Sequence, residues 1–239
     1  IDLFYAQEAD SENNMPPEDI ETRTAYFLKE NGGLYNWITV TESDGTSLRY
    51  EPGKEAVREQ AEEAIRQGKN QLPDQPSRIF GKAISGQTGW YELYIRKEVP
   101  SENGICILTF AMNLETIYQK IIAPVKIGRD GYSSVKDQNM CIIMHHAKDQ
   151  IGLEAFDDRM KKYPELDLSS MNAWIKKQAQ DTSGTGVIDT YVWDDPGLSR
   201  VQRVVAFQSI YIQGERWIVN STIPVQELSR PLDSMMTML

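Results

Sequence analysis

The 239-residue sequence has only two cysteines and two histidines, and it has no apolar run long enough to cross a membrane. A membrane-spanning helix needs about 20 consecutive apolar residues. Cys106 and Cys141 are too far apart for a Cys-x-x-Cys motif, which excludes the usual zinc and redox patterns. Both lie in apolar segments, so we expect two small buried side chains, while a disulfide between them stays open.

Basic residues are also in deficit, because 25 Lys and Arg stand against 35 Asp and Glu and give a net charge of −10. Binding to nucleic-acid phosphates requires clustered basic side chains, so no nucleic-acid partner is expected. The same charge disfavours adhesion to an anionic membrane surface. A cationic or zwitterionic ligand would fit this field, although an acidic surface that serves only solubility explains the charge more simply.

Catalytic motifs are absent from the sequence: it contains no phosphate-binding glycine loop and no nucleophile elbow. His145 and His146 are adjacent, and neighbouring side chains on a strand point to opposite faces of the sheet. The pair is therefore not expected to bind one metal ion. We predict that this segment is not an enzyme, with no catalytic residue, no metal ligand and no cofactor.

Two acidic pairs have structural explanations. Asp194-Asp195 precedes Pro196-Gly197, which predicts a turn. Asp157-Asp158 precedes Arg159 and predicts a solvated helix start, where carboxylates are favourable.

The sequence repeats one order of segments: a hairpin, a helix, three strands and an exit helix. The first copy is predicted at residues 35–41, 46–50, 53–67, 78–84, 90–99, 104–112 and 113–121. The second is predicted at residues 132–135, 140–144, 170–180, 186–193, 201–213, 216–223 and from 225 onward. This order predicts an α+β fold of two tandem modules, each an antiparallel sheet of about five strands with helices. The expected boundaries are an N-terminal helical segment at 1–33, a first module at 34–122 and a second module at 123–239.

The stretch from Lys126 to Leu153 carries the most specific pattern. A glycine pair and a tyrosine open a hairpin, an aspartate begins its turn, and the second strand ends in histidine before an Ile-Gly step. The residues that match are Gly128, Gly131, Tyr132, Asp137, His145, Ile151 and Gly152. This pattern resembles the opening of a Cache domain, the PAS-like sensor module of bacterial receptors. His146 stands where the family usually has proline, and no glycine closes the turn, where Asn139 substitutes.

The resemblance implies two tandem PAS-like (Cache) modules that form the extracytoplasmic part of a membrane-anchored bacterial receptor. Such a domain binds a small molecule and passes a conformational change to an exit helix. It further implies that the full-length receptor is a homodimer. We expect the present segment to be a piece of that longer chain. A sensor histidine kinase of a two-component system is the first expectation for the output; a diguanylate cyclase and a chemotaxis receptor stay open.

Two groups of residues are candidates for ligand binding. Trp90, Tyr94 and Arg96 are predicted to share one face of a strand, where two rings and a cation could hold a carboxylate-bearing molecule. Tyr191 and Trp193 form a similar group in the second copy. The resemblance favours the first, membrane-distal module. Core packing explains the first group at least equally well, and amino acids, organic acids and amines all stay open as ligands.

Two other functions stay open. The segment could be a ligandless dimerisation or interaction module, or a secreted enzyme whose site has no recognisable motif.

Overall fold

The structure, a computed structural model, describes residues 20–31, 33–59, 77–86, 88–101, 104–125, 127–212 and 214–228. The described residues within 1–82 and 93–113 form one compact unit, and those within 83–92 and 114–239 form the other. The domain boundaries given above stay a prediction. The predicted helical residues before Ile20, and residues 60–67 of the helix predicted at 53–67, lie outside the described residues.

The first sheet has six strands, preceded by helix α1 and followed by the short helix α2. The elements are α1 Ile20–Glu30, β1 Tyr35–Thr41, β2 Ser47–Tyr50, β3 Val57–Glu59, β4 Ser77–Ile84, β5 Tyr91–Ser101, β6 Gly104–Asn113 and α2 Leu114–Ile117. A π-helical turn, Tyr118–Ile122, continues α2. The strand order is β3-β2-β1-β6-β5-β4, and β1 pairs antiparallel with both β2 and β6.

The second sheet has five strands and two covering helices. Its elements are β7 Tyr132–Asp137, β8 Ile142–Met144, a 3₁₀ turn Lys148–Gln150, α3 Asp157–Lys162, α4 Ser169–Gln180, β9 Ser183–Tyr191, β10 Arg200–Ile212 and β11 Glu215–Pro224. The order β8-β7-β11-β10-β9 places the last strand beside the first. The first sheet has the same order once its edge strand β3 is set aside. The predicted α+β fold with two antiparallel sheets is therefore confirmed.

One predicted helix is wrong over the part that the structure describes. Residues 53–56 are irregular, and Val57–Glu59 is strand β3, which pairs antiparallel with β2 so that Ser47 faces Glu59. Alanines and charged residues suggested a helix here, but the edge of β2 offers backbone hydrogen bonds that outweigh this weak local preference.

The β7–β8 hairpin turns without glycine, as predicted, but the strained residue is not Asn139. Met140 takes the positive φ, at 61°. Asp137 stabilises the turn, because its carboxylate accepts hydrogen bonds from the backbone N–H groups of Asn139 and Cys141, both at 2.9 Å. Asp137 therefore supports the backbone of the tight turn that the motif predicted.

Both cysteines are free thiols, Cys106 buried and Cys141 half-buried. The Cys141 Sγ lies 3.1 Å from the Tyr91 hydroxyl within the second unit.

Candidate ligand-binding site

A cavity of about 40 Å³ lies in the second unit, walled by one face of the sheet and by helices α3 and α4. A single water needs roughly 10–15 Å³ on this measure, so the space holds about three waters or a ligand of a few non-hydrogen atoms. A cavity between a sheet and its covering helices is a common place for a small molecule to bind.

The strand register explains why so many polar side chains meet in this cavity. Side chains alternate between the two faces of a strand, so every second residue of β7, β9, β10 and β11 faces α4. Ser134 pairs with Asn220, and Val205 pairs with Thr222. All four line the cavity. The register thus brings side chains of neighbouring strands together in the cavity, among them the polar pair Ser134 and Asn220.

Three of the lining side chains are buried cations. Lys136, Arg159 and Arg203 are 6%, 4% and 5% exposed. Their hydrogen bonds go to neutral acceptors: the Lys136 Nζ donates to the Gln178 Oε1 at 3.0 Å, and the Arg159 Nε donates to the Gln150 Oε1 at 3.1 Å. Neutral acceptors satisfy single N–H groups and leave the positive charge uncompensated.

Arg203 extends from β10 toward the loop that precedes β7. Its Nη1 donates to the backbone carbonyl of Asp130 at 3.0 Å and to the Thr222 Oγ1 at 3.3 Å. Its Nε is buried and has no hydrogen-bond partner among the described residues. A buried guanidinium N–H without a partner carries a desolvation penalty that a bound acceptor would relieve.

Aromatic rings orient the two guanidinium groups. The Arg159 guanidinium lies 4.7 Å from the centre of the Trp193 ring, and that of Arg203 lies 4.9 Å from the centre of the Tyr132 ring. A cation over an aromatic face is attracted by the ring quadrupole, more strongly where water is excluded. Trp193 and Tyr132 therefore help to hold two charged groups inside the unit.

No carboxylate lines the cavity, and none of the three cations forms an ion pair with a carboxylate of the described residues. Burial and, to a smaller extent, the charge of nearby Arg159 lower the pKa of Lys136 to about 7. Burial also lowers the pKa of Arg159 to about 10, although the charges of Glu154 and Asp149 act in the opposite direction. Both changes have the direction expected for cations taken out of water.

His145 adds a neutral donor to the cavity wall. Its Nδ1 accepts a hydrogen bond from the backbone N–H of Ala147 at 3.0 Å, which assigns the ring proton to Nε2. Burial, with the charges of His146, Arg159 and Lys136, holds the pKa of His145 well below its usual value.

The expectation that the histidine rings lie on opposite faces is wrong. Strand β8 ends at Met144, so the alternation of a strand no longer applies. The two rings stack with their centres 4.4 Å apart, and the His146 Nε2 lies 3.8 Å from the Asp194 Oδ1. Among the described residues no group of three His, Cys, Asp or Glu side chains is placed to hold a metal ion.

A hydrogen-bond chain fixes α4 over the sheet. The Asn220 Oδ1 accepts from the Trp174 Nε1 at 3.0 Å and from the Gln178 Nε2 at 2.8 Å, and Gln178 in turn accepts from Lys136. The acceptor capacity of both amides is thereby directed to protein donors. The chain makes the cavity ceiling a fixed part of the structure.

The predicted glycine motif forms a loop that joins the cavity to the last described residues. Gly128 has a φ of 71°, and a Cβ at Gly131 would collide with the Ile127 carbonyl oxygen, so both positions require glycine. The Glu227 carboxylate accepts hydrogen bonds from the backbone N–H groups of Arg129 and Asp130, both at 2.7 Å. We call residues 128–131 the glycine loop.

Of the predicted site residues, only Trp193 lines this cavity. Tyr191 packs against Trp193, with ring centres 5.9 Å apart, and its hydroxyl donates to the Asp167 carbonyl oxygen at 3.3 Å. Residues 225–228 begin the predicted final helix.

The first predicted group does not lie on one strand as expected. Trp90 precedes β5, is 2% exposed, and packs against Tyr118 with ring centres 5.3 Å apart. Tyr94 packs against Trp37, and the Arg96 Nη2 lies 3.3 Å from the Glu98 Oε1. Ligand binding by these residues stays a prediction.

Sequence reasoning missed all three cations. Arg159 was expected in a solvated helix start and is instead buried. Lys136 and Arg203 lie at inward positions of β7 and β10, where a charged residue is costly and indicates function. The signal was weak because both strands carry other polar residues, such as Ser134 and Gln202.

No protein-family model matches this chain, and no curated protein matches it. Solved structures do. The extracellular domain of the candidate histidine kinase vpHK1S-Z8 is 16% identical with a TM-score of 0.61, and the match covers 88% of this chain and 78% of that one. The ligand-binding domain of the Pseudomonas aeruginosa amino acid chemoreceptor PctC, solved with GABA, is 14% identical with a TM-score of 0.56, covering 93% and 88%.

The periplasmic sensory domain of the Campylobacter jejuni chemoreceptor Tlp1 is 12% identical with a TM-score of 0.56, covering 96% of this chain and 86% of that one. These similarities establish the fold: it is the double Cache fold of extracellular and periplasmic sensor domains, as the glycine motif predicted. In the part of the chain that the structure describes, no helix has the length and apolar character needed to span a membrane.

Proposed function

We propose that this chain is the extracytoplasmic sensor domain of a membrane-anchored bacterial receptor and that it binds a small molecule in the cavity of its second unit. The observation that carries the proposal is the cavity itself, which three buried cations line without a counter-charge. A fold stabilised by its core alone would gain from apolar side chains at these positions, so retained charges support a binding role. Similar domains solved with GABA, L-arginine and L-alanine support the small-molecule part of the proposal.

The glycine loop supplies a route by which a ligand would act on residues 225–228, the start of the final helix, which we call the exit segment. Arg203 lines the cavity and holds the Asp130 carbonyl, while Glu227 holds the N–H groups of the same loop. A ligand that draws the Arg203 guanidinium inward would shift the loop and, with it, Glu227. This is a packing change at one end of a helix, the kind of event that switches receptors.

For the output we propose a histidine kinase acting as a homodimer, because two of the similar domains come from candidate histidine kinases. The test is autophosphorylation of the full-length receptor in vesicles, with and without ligand. A ligand-dependent change in the phosphorylation rate supports the proposal. A full-length chain without a kinase domain contradicts it.

Ligand binding is tested by a thermal-shift screen of amino acids, organic acids, amines and sugars, followed by calorimetric titration of each hit. A ligand raises the melting temperature by mass action. Binding that survives Arg96→Ala but is lost in Trp193→Ala supports the second-unit site. The reverse result supports the site predicted at Trp90, Tyr94 and Arg96 in place of the cavity. The absence of any hit contradicts a sensor function and favours a ligandless interaction module.

A further inference from the structure

We infer that the ligand of the second-unit cavity is a small monocarboxylate that carries no ammonium group. The inference rests on the proposed function and adds the chemical class of the ligand. It follows from the sign of the charges in the wall, from the direction of the free hydrogen-bonding groups, and from the size of the space.

The charges of the wall have one sign. Lys136 from β7, Arg159 from α3 and Arg203 from β10 come from three elements and line one cavity, and no carboxylate lines it with them. Each cation is more than nine-tenths buried. An anion bound among them would supply the counter-charge that the cavity wall itself does not provide, and guanidinium groups pair with carboxylates in planar, charge-assisted hydrogen bonds.

The unpartnered group in the cavity wall is a donor. The Arg203 Nε is buried and has no hydrogen-bond partner among the described residues. The His145 ring adds an N–H group to the wall, because its Nδ1 is occupied as an acceptor and its proton is on Nε2. The amide acceptor is occupied, because the Asn220 Oδ1 already receives two hydrogen bonds, and the other polar oxygens of the wall are uncharged hydroxyls. A carboxylate matches the cations and the free donor, whereas the ammonium group of an amino acid would meet three cations and no carboxylate in the wall.

Much of the remaining wall is apolar and the space is small. Ile142, Ile175, Ile188 and Val205 line it beside the rings of Trp174 and Trp193. A cavity of about 40 Å³ admits a ligand of a few non-hydrogen atoms. The geometry therefore fits a carboxylate on a short apolar body, such as acetate, propionate or pyruvate, better than inorganic phosphate, which has no apolar part.

The test is calorimetric titration of the chain with sodium propionate, acetate and pyruvate at constant ionic strength. Propionamide serves as the neutral isostere of propionate, and L-alanine, GABA and inorganic phosphate as the competing classes. We expect at least one carboxylate to bind, with propionamide binding at least about tenfold more weakly, since a charge-assisted hydrogen bond is lost. Equal binding of propionate and propionamide would overturn the inference.

Two variants locate the binding. Arg203→Met should raise the dissociation constant about 10- to 100-fold. Arg200→Met is the matched control, because Arg200 lies on the same strand, is exposed, and pairs with Asp167 and Asp189 outside the cavity. Lys136→Met is the second variant should Arg203→Met not fold. Unchanged carboxylate affinity in the folded cavity variants would overturn the inference.

The outcomes separate this inference from the proposed function. Cavity-dependent binding of L-alanine, GABA or phosphate in place of the carboxylates would overturn the ligand class and leave the sensor function supported. If no compound of this panel binds and no metabolite of the wider screen raises the melting temperature, both the ligand class and the sensor function are overturned.

Discussion

The two sheets share a strand order but enclose different interiors. In the first unit the buried cluster is apolar and includes Leu28, Ile38, Leu108 and Phe110. Among the described residues, five of the six buried Asp, Glu, Lys, Arg and His side chains lie on the second sheet, its connections or its covering helix α3: Lys136, Asp137, His145, Arg159 and Arg203. The sixth, Glu92, lies on β5 of the first sheet. One topology therefore supports both a closed core and a charged cavity, and the side chains on the inward face decide which is formed.

The covering helices show the same contrast. Helix α1 contributes Leu28 to the apolar cluster of the first unit. Helix α4 contributes Trp174 and Ile175 to an apolar cluster, but also Gln178, which bonds to Lys136 and Asn220. The first interior maximises apolar burial, whereas the second maintains polar groups at a cost in stability. Substitutions in the two interiors should therefore have opposite effects.

The largest effect is expected in the first unit. Phe110→Ala removes a ring that is fully buried and packs against Phe27 and Tyr35, with ring centres 5.9 and 5.7 Å apart. We expect it to lower the free energy of unfolding by about 3–5 kcal/mol. Urea denaturation followed by tryptophan fluorescence measures the loss. A loss below about 1 kcal/mol would contradict the description of this interior as closely packed.

In the second unit, replacing a buried cation by an apolar side chain is expected to raise the free energy of unfolding, not to lower it. Lys136→Met replaces a buried cation by an apolar side chain, and without ligand it should raise the free energy of unfolding by about 1–4 kcal/mol. The same denaturation measurement applies at pH 6, where the lysine is charged. A destabilised Lys136→Met would show that the bond to Gln178 stabilises the fold more than the buried charge costs.

The pH dependence of stability gives a third comparison. The pKa of Lys136 is about 7 in the folded chain, below its ordinary value near 10.5. Between these values the unfolded chain binds the proton and the folded chain does not, so Lys136 should make stability rise with pH above about 7, by up to about 1.4 kcal/mol per pH unit. Burial raises the pKa of the Cys106 thiol to about 11, which acts in the opposite direction above about pH 9. Arg159, His145, Arg203 and Tyr132 are the other titratable groups of the cavity wall. Lys136→Met should abolish this rise, and a retained rise would assign it to another group.

A smaller effect is expected at the glycine loop. Glu227→Gln keeps the shape of the side chain but removes the charge that holds the N–H groups of Arg129 and Asp130. Because these bonds are exposed, we expect a loss of about 0.5–1.5 kcal/mol. Arg96→Ala, which breaks an ion pair with the largely exposed Glu98, should cost about 0–1 kcal/mol and is the matched surface control. If the two losses are equal, the glycine loop is not specifically anchored.

The strands, the glycine loop and the paired order of elements were accessible from the sequence because each depends on residues close together in the chain. The alternation of side-chain types predicted a strand with the bounds Tyr35–Thr41, which the structure has. Turns on both sides of the strand fix these bounds. Strand β3 was missed, since its pairing with β2 is a tertiary choice that local preference does not encode.

The candidate cavity was not accessible for a related reason. Lys136, Arg159 and Arg203 are separated by 23 and 44 positions in the numbering of the chain and meet only through the register of β7, β11 and β10 and the placement of α3. Alternation shows that a strand has two faces but not which face a helix covers. Trp90 and Tyr94 were predicted as ligand-binding residues because aromatic rings often line binding sites, and in the structure both pack against other rings.

The bonds from Glu227 to the glycine loop have a thermodynamic consequence for any receptor that contains this domain. The loop that accepts a hydrogen bond from Arg203 also donates to Glu227, so under the proposed function occupancy of the cavity and the position of residues 225–228 would share one free energy of coupling. Such coupling is reciprocal: whatever factor the ligand imposes on the segment, restraint of the segment imposes on ligand affinity. The isolated domain and the anchored receptor should therefore have different dissociation constants for the same ligand, and their ratio measures how much of the binding energy reaches the membrane.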